Sequence, residues 1–248
     1  MHSPKTKAMK KALTLLLAVF SIFYSQAQYG QSAGTIKSLI FGIKAGAAYT
    51  SISDLSKVLV SESYYTGYTF EEKPGFNFTG GVFINYKFEG SISAIYTEVS
   101  YSRLGHTLKY SDINDFNYDF ALRYDYINLD FWYKAYVFGG MHLGIGPRVG
   151  FILTPEGLYY TSNGEDQFGP DLRIQQQLRD VLRGRNTFSL GVSAGYEFTF
   201  GISIDARFYY GLSDVMKTEI NNFNFIETHN SSRVVQITLG YAIPYDFF

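Results

Sequence analysis

The sequence predicts an all-β fold, an eight-stranded antiparallel up-and-down transmembrane β-barrel. Three observations predict it: an export-type N-terminus, eight stretches of alternating apolar and polar residues, and connections that alternate long and short. Tyr and Phe number 22 each against a single Trp, so that aromatics make up 18% of the chain. Such rings suit strands and membrane–water boundaries, where an apolar body and a polar tip meet different solvents.

The N-terminus carries Lys5, Lys7, Lys10 and Lys11 ahead of the apolar run 12–24, with Ser25-Gln26-Ala27 following. This reads as a secretory signal peptide over 1–27, cleaved after Ala27, because the run is too short to span about 30 Å of hydrocarbon. A polar lead over 28–37 then precedes a barrel over 38–248. The chain has no cysteine, which removes disulfide and thiolate chemistry. Beyond residue 28 no second apolar run reaches eighteen residues, so a membrane crossing must be made by strands.

The eight strands are expected at 39–50, 76–88, 92–104, 123–137, 141–153, 187–200, 202–212 and 233–243. In the second, Phe76, Phe78, Val82, Ile84, Tyr86 and Phe88 share one register, opposite Asn77, Thr79, Asn85 and Lys87. In the sixth, Phe188, Leu190, Val192, Ala194, Tyr196, Phe198 and Phe200 oppose Ser189, Ser193, Glu197 and Thr199. A soluble sandwich also alternates, so the connections decide. Glu89-Gly90-Ser91, Phe138-Gly139-Gly140 and Gly201 are tight turns; 51–75, 105–122, 154–186 and 213–232 are long loops, placed at the cell surface.

With the apolar register toward lipid, Lys44, Lys87, Glu98, Asp130, Lys134, Arg148, Glu197, Asp205 and Arg207 point inward. A Lys or Arg facing lipid at mid-depth would cost about 2–4 kcal/mol, which supports this orientation. Eight strands enclose a space that side chains can fill, and Tyr96, Tyr126, Trp132 and Tyr209 share it with the ions. The balanced charges predict a salt-bridged plug. The other reading of the same residues is a solute path, a passive small-solute porin.

In the third long loop, Pro170 and Gly184 frame a short helix, with Ile174, Leu178, Val181 and Leu182 on one face and Arg173, Arg179, Arg183 and Arg185 as its cations. It either contacts lipopolysaccharide phosphates or a protein, or folds its apolar face over the barrel mouth. The first loop, with Lys57-Val58-Leu59-Val60, the aromatics of 64–70 and Glu71-Glu72, suggests strand extension around a turn near Gly67. His106 and His229, with Asp112 or Ser231 nearby, allow a surface hydrolase to be drawn. No nucleophile elbow, phosphate-binding loop or metal-ligand spacing supports one, so the expectation is no enzyme, no cofactor and no metal.

Phe41-Gly42-Ile43-Lys44-Ala45-Gly46, Pro74-Gly75-Phe76, Tyr86-Lys87-Phe88, Glu98 within 96–102, Gly144-Ile145-Gly146-Pro147-Arg148-Val149-Gly150, Gly195-Tyr196-Glu197-Phe198, Ile204-Asp205-Ala206-Arg207 and Leu239-Gly240-Tyr241 together resemble the PorT-like family of small outer-membrane barrels. The resemblance covers nearly the whole mature chain. It implies an eight-stranded barrel in the outer membrane, inserted by the assembly machinery; of the chain as a whole, a monomer surrounded by lipid and lipopolysaccharide is expected. The family's namesake is implicated in a gliding and secretion apparatus, which implies an envelope or secretion protein as partner; most members have no assigned activity. Nucleic acid is not among the implied partners. Phe248 resembles the terminal aromatic of the insertion signal. This chain departs from the family by adding residues 242–248, in which Pro244 ends strand pairing, so Tyr241 is the other candidate for that signal.

Overall fold

The computed structural model describes residues 39–53, 55, 68–218 and 229–243. The signal peptide and polar lead expected over 1–37, most of the first loop, Pro244 and Phe248 lie outside the described residues. Eight strands close into one antiparallel ring: β1 (Leu39–Ile52), β2 (Tyr68–Lys87), β3 (Ser93–Asp112), β4 (Asn117–Phe138), β5 (Met141–Ile152), β8 (Thr187–Glu197), β9 (Ile202–Asp214) and β11 (Ser231–Ile243). β11 closes on β1, with Ile43 opposite Tyr241. Each tight turn has one glycine at positive φ, Gly90, Gly139 or Gly201, a conformation that costs a side-chain-bearing residue.

Around the lower barrel the outward register is an apolar band, with Ile43, Phe78, Val82, Val99, Phe131, Val192, Ile204 and Leu239 exposed. Among the described residues no helix is long and apolar enough to cross a membrane. The band ends at one level: on β3 the outward series Val99, Tyr101 is followed by Arg103, on β4 Ile127 gives way to Asp125 and Arg123, and on β11 Val235 gives way to Arg233.

β2, β3 and β4 run well past this level. They span 20, 20 and 22 residues, whereas a tilted crossing needs about 9–11. The pattern inverts there. Thr107, Lys109 and Asp119 face outward, while Leu104, Leu108, Phe120 and Leu122 point inward and are buried. The expected boundaries at 76, 104 and 123 mark the end of the apolar band rather than the end of the strands, because water replaces lipid as the outer solvent.

A short strand, β6 (Leu158–Ser162), adds to the upper half of β4. Its free edge is met by the helix α2 (Asp171–Val181), which follows a one-turn helix α1 (Glu165–Phe168). Asp171 accepts from the Ser162 amide at 2.7 Å, Gln175 accepts from the Tyr160 amide at 3.0 Å, and Arg179 donates to the Leu158 carbonyl at 2.8 Å. Side chains thus occupy an edge that could otherwise pair with another chain.

The expected helix ends sooner than its framing glycine suggested. Leu182–Gly184 forms a strand, β7, paired with β10 (Met216–Thr218). Arg183 and Arg185 therefore lie beyond the helix. Leu182 is buried, and burying it against the barrel mouth favours an extended segment over another helical turn.

Candidate functional site

The inward register brings the predicted ions together at the barrel's mid-height. Glu98 is 1% exposed and its Oε2 accepts from Lys44 Nζ, from Arg207 Nη1 at 2.7 Å and from the Tyr96 hydroxyl at 3.0 Å. Arg148 forms a two-pronged pair with Asp130, at 2.9 and 3.1 Å, and also donates to the Tyr209 hydroxyl at 2.6 Å. Such a fork fixes geometry as well as charge. The Arg148 guanidinium also lies over the Tyr209 ring at 3.5 Å.

Toward the turn end, Asp205 lies 3.5 Å from Lys134 Nζ and 3.0 Å from His142 Nε2. Lys87 and Glu197, half-buried, pair at 2.6 Å, and the Tyr136 hydroxyl donates to Glu197. His142, Tyr136 and Asn85 complete this network and Gln236 accepts from Arg148 at 3.3 Å, although charge alone did not single them out. Their signal was the shared inward register, which period-two counting supplies.

The two groups of ions are continuous, since Arg207 Nη2 lies 3.7 Å from Asp205, and Trp132 and Tyr209, ring centroids 5.5 Å apart, pack against the guanidinium groups of Arg207 and Arg148. Glycines make room for them. A Cβ on Gly191 would lie 2.7 Å from the Trp132 ring and 2.9 Å from Tyr209, which close packing cannot absorb. Above them a cavity of about 20 Å³ lies between Thr50, Tyr126, Asn128, Arg148 and Tyr209, space for about one water.

The mouth is closed by an apolar cluster of Ile52, Leu55, Leu104, Leu108, Phe120, Leu122, Tyr124, Leu158, Leu182, Val215 and Met216, with Leu178 of α2 packed against it. The cations assigned to the surface helix are partly engaged: Arg179 holds β6, and Arg183 lies 3.2 Å from Glu156. Arg173 shares a close approach with Gly169, and Arg185 is exposed. Of the two proposed insertion-signal residues, Tyr241 faces outward from β11; Phe248 is not among the described residues.

At the rim, β2 carries one extra residue. Between Pro74 opposite His106 and Thr79 opposite Ser102, five steps on β2 face four on β3, a β-bulge. Across it β1 reaches β3 directly. The Gly105 amide donates to Thr50 Oγ1 at 2.9 Å, and Thr50 returns a bond to the Gly105 carbonyl at 2.8 Å. The Ile52 amide donates to His106 Nδ1 at 2.9 Å. No period in the sequence announces this stitch, which joins residues 54 positions apart.

That bond assigns the tautomer. With Nδ1 accepting, the neutral ring carries its proton on Nε2, 3.6 Å from Glu72 Oε2, and offers no lone pair to a nucleophile. Asp112 accepts from the amides of Asn114 and Phe116, and Ser231 bonds Ser53. His229 is 86% exposed, 3.7 Å from Asp214. The partners drawn for a hydrolytic site are therefore engaged in turns and strand ends.

Burial pushes the His106 ring below its usual pKa, with the Glu72 charge opposing. The unfolded ring, near 6.5, then binds its proton more readily than the folded one, so this contribution to rim stability is complete above about pH 6.5 and falls as the pH drops below it. Protonation would also turn Nδ1–H toward the Ile52 N–H. Hydrogen-exchange protection of the Ile52 amide, corrected for the intrinsic pH dependence, is expected to fall between pH 7.5 and 5. In His106→Asn, whose side-chain oxygen can accept the same bond without titrating, it should stay level; equal protection of the wild type at both pH values would refute the account.

The sequence matches a family described as outer membrane protein beta-barrel domain over residues 26–217. Comparison with curated proteins finds no match. Similar solved structures include Neisserial surface protein A, at 14% identity over 84% of this chain and 98% of that one with a TM-score of 0.37. Ail of Yersinia pestis is 15% identical over 84% of this chain and 100% of its own, TM-score 0.36. OprG of Pseudomonas aeruginosa is 14% identical over 84% and 97%, TM-score 0.43.

Proposed function

The chain belongs to the outer membrane protein beta-barrel domain family, and from that premise we propose that it is a non-enzymatic scaffold with a closed lumen, acting through its surface extension in envelope structure or partner binding. The observation that carries this reading is the continuous filling of the lumen. The ion network, the Trp132–Tyr209 pair and the apolar mouth lie in the path a solute would take, and the cavity beside Arg148 and Tyr209 measures about 20 Å³. Among the described residues, the tall β2–β3–β4–β6 wall with α2 at its edge is available for contact. The His106 tautomer supports the absence of hydrolytic chemistry.

In the sharper form of the proposal the chain is a PorT-like monomer, exported with its leader removed after Ala27, seated in lipopolysaccharide-bearing outer membrane by the insertion machinery. There its loop end faces outward and serves a secretion apparatus. The ordered set of short motifs that resembles that family supports this form.

Trp132 is the only tryptophan, so its fluorescence reports the lumen directly. Purified protein in lipid is expected to show blue-shifted emission resistant to acrylamide and no stable single-channel current in planar bilayers. Quenchable emission together with steady conductance would replace the scaffold with a porin. For the secretion role, deletion of the gene followed by proteomics of surface and secreted proteins should change the secretome; an unchanged secretome would remove it.

A further inference from the structure

At the loop-side rim, beside the β2 bulge, a cavity of about 320 Å³ is lined by Ser51, Ile52, Ser53, Glu72, Pro74, His106 and Arg233. Its origin is local. Pro74 has no N–H to give to a ladder, and the β1–β2 ladder stops at Thr50 opposite Gly75. Above that point β2 stays with β3, while β1 stays with β11, where Ser51 lies opposite Arg233. The wall therefore parts into a notch.

The notch has an uneven lining. Arg233 is exposed and forms no ion pair or side-chain hydrogen bond among the described residues, although Glu72 lines the same cavity. Ser51 and Ser53 place hydroxyls beside it. Directly below, Tyr49, Phe76 and Val235 are 50%, 77% and 48% exposed on the outward apolar band. Arg233 is the first cation above that band on β11, at the depth where a guanidinium meets phosphate while its stem stays on apolar surface.

We propose that this notch binds the phosphorylated headgroup of an outer-leaflet lipid, with Arg233 on the phosphate, a serine hydroxyl as a second donor and Glu72 accepting from a hydroxyl or amine of the same headgroup. The acyl chains lie along Tyr49, Phe76 and Val235. A purely anionic ligand would meet Glu72 unfavourably, so a headgroup carrying both a phosphate and hydrogen-bond donors, as a phosphorylated amino sugar does, fits the lining best. Of the arginines in the third long loop, by contrast, Arg179 on α2 already holds β6 and Arg183 on β7 already meets Glu156. The site is independent of the scaffold reading above, since a conducting lumen would leave it unchanged.

The test uses full-length mature protein in nanodiscs of phosphatidylcholine doped with a bis-phosphorylated glucosamine lipid or its dephosphorylated form, with retained lipid counted by native mass spectrometry. Wild type is expected to retain one phosphorylated lipid and to discriminate against the dephosphorylated form. Arg233→Gln should lower that retention about tenfold. Arg185→Gln, which removes an exposed rim arginine away from the cavity, should not. Equal retention by the two variants, or by the two lipids, would overturn the proposal. Full displacement by millimolar soluble glucosamine phosphate would also overturn it, in favour of a site for free phosphosugar.

Discussion

Glu98→Ala is expected to lower the unfolding free energy of the barrel by about 3–5 kcal/mol, the range for removing one partner of a buried ion pair. One carboxylate oxygen collects three donors, from Lys44, Arg207 and Tyr96. Removing it leaves two cations at about 2% side-chain exposure or less facing each other in a narrow lumen. Neither can swing into water, because the walls are close-packed and Trp132 lies over the Arg207 guanidinium at 5.1 Å. Urea unfolding from lipid vesicles, followed by Trp132 fluorescence, measures the loss. Glu98→Gln, which keeps an acceptor but no charge, should fall between the two. A loss under about 1 kcal/mol for the alanine variant would mean that the lumen cations are hydrated instead of paired.

The second large effect is expected at Trp132. It is 2% exposed, packed on Tyr209 and seated against the glycine at 191. Trp132→Ala removes the largest fully buried side chain among the described residues, and a void of that kind costs about 3–5 kcal/mol where neighbours cannot collapse. A barrel wall held by continuous hydrogen bonding has little freedom to collapse. Trp132→Phe should recover most of the loss by refilling the space. The checks are heat-dependent mobility of the folded barrel on gels and bilayer conductance. Wild-type stability in the alanine variant would show that the rings at mid-height do not pack as the geometry indicates. A conductance appearing in the alanine variant and absent from the phenylalanine variant would identify Trp132 as the narrowest part of the plug.

Much of this was legible along the chain. Period-two alternation separates Phe78, Val82 and Ile84 from Thr79 and Asn85 on β2, and the structure puts these two sets on opposite faces. The glycines in the tight turns were equally readable, since positive φ selects them. The tall wall was legible only in part: strand extension was expected in the first loop and β2 does begin at Tyr68, but on β3 and β4 the outward face is polar and the inward face apolar, the reverse of the crossing below. A search tuned to apolar residues facing lipid stops at Arg103 and Arg123, where the solvent changes. The early end of α2 was hidden for another reason: Leu182 continues the apolar helical face in sequence, but pairing with Met216–Thr218 claims it.

The sequence by itself determined the number of crossing strands, which face of each meets lipid and which charges turn inward, because alternation and turn chemistry act between near neighbours. Only the tertiary structure decided which of those charges meet, where the lumen closes and where the wall opens. Glu98 and Arg207 are 109 residues apart, and nothing local couples them. They meet because ring closure and strand stagger bring them to one height. The notch at Arg233 arises the same way, from a proline and a bulge on one strand and the end of a ladder on the next.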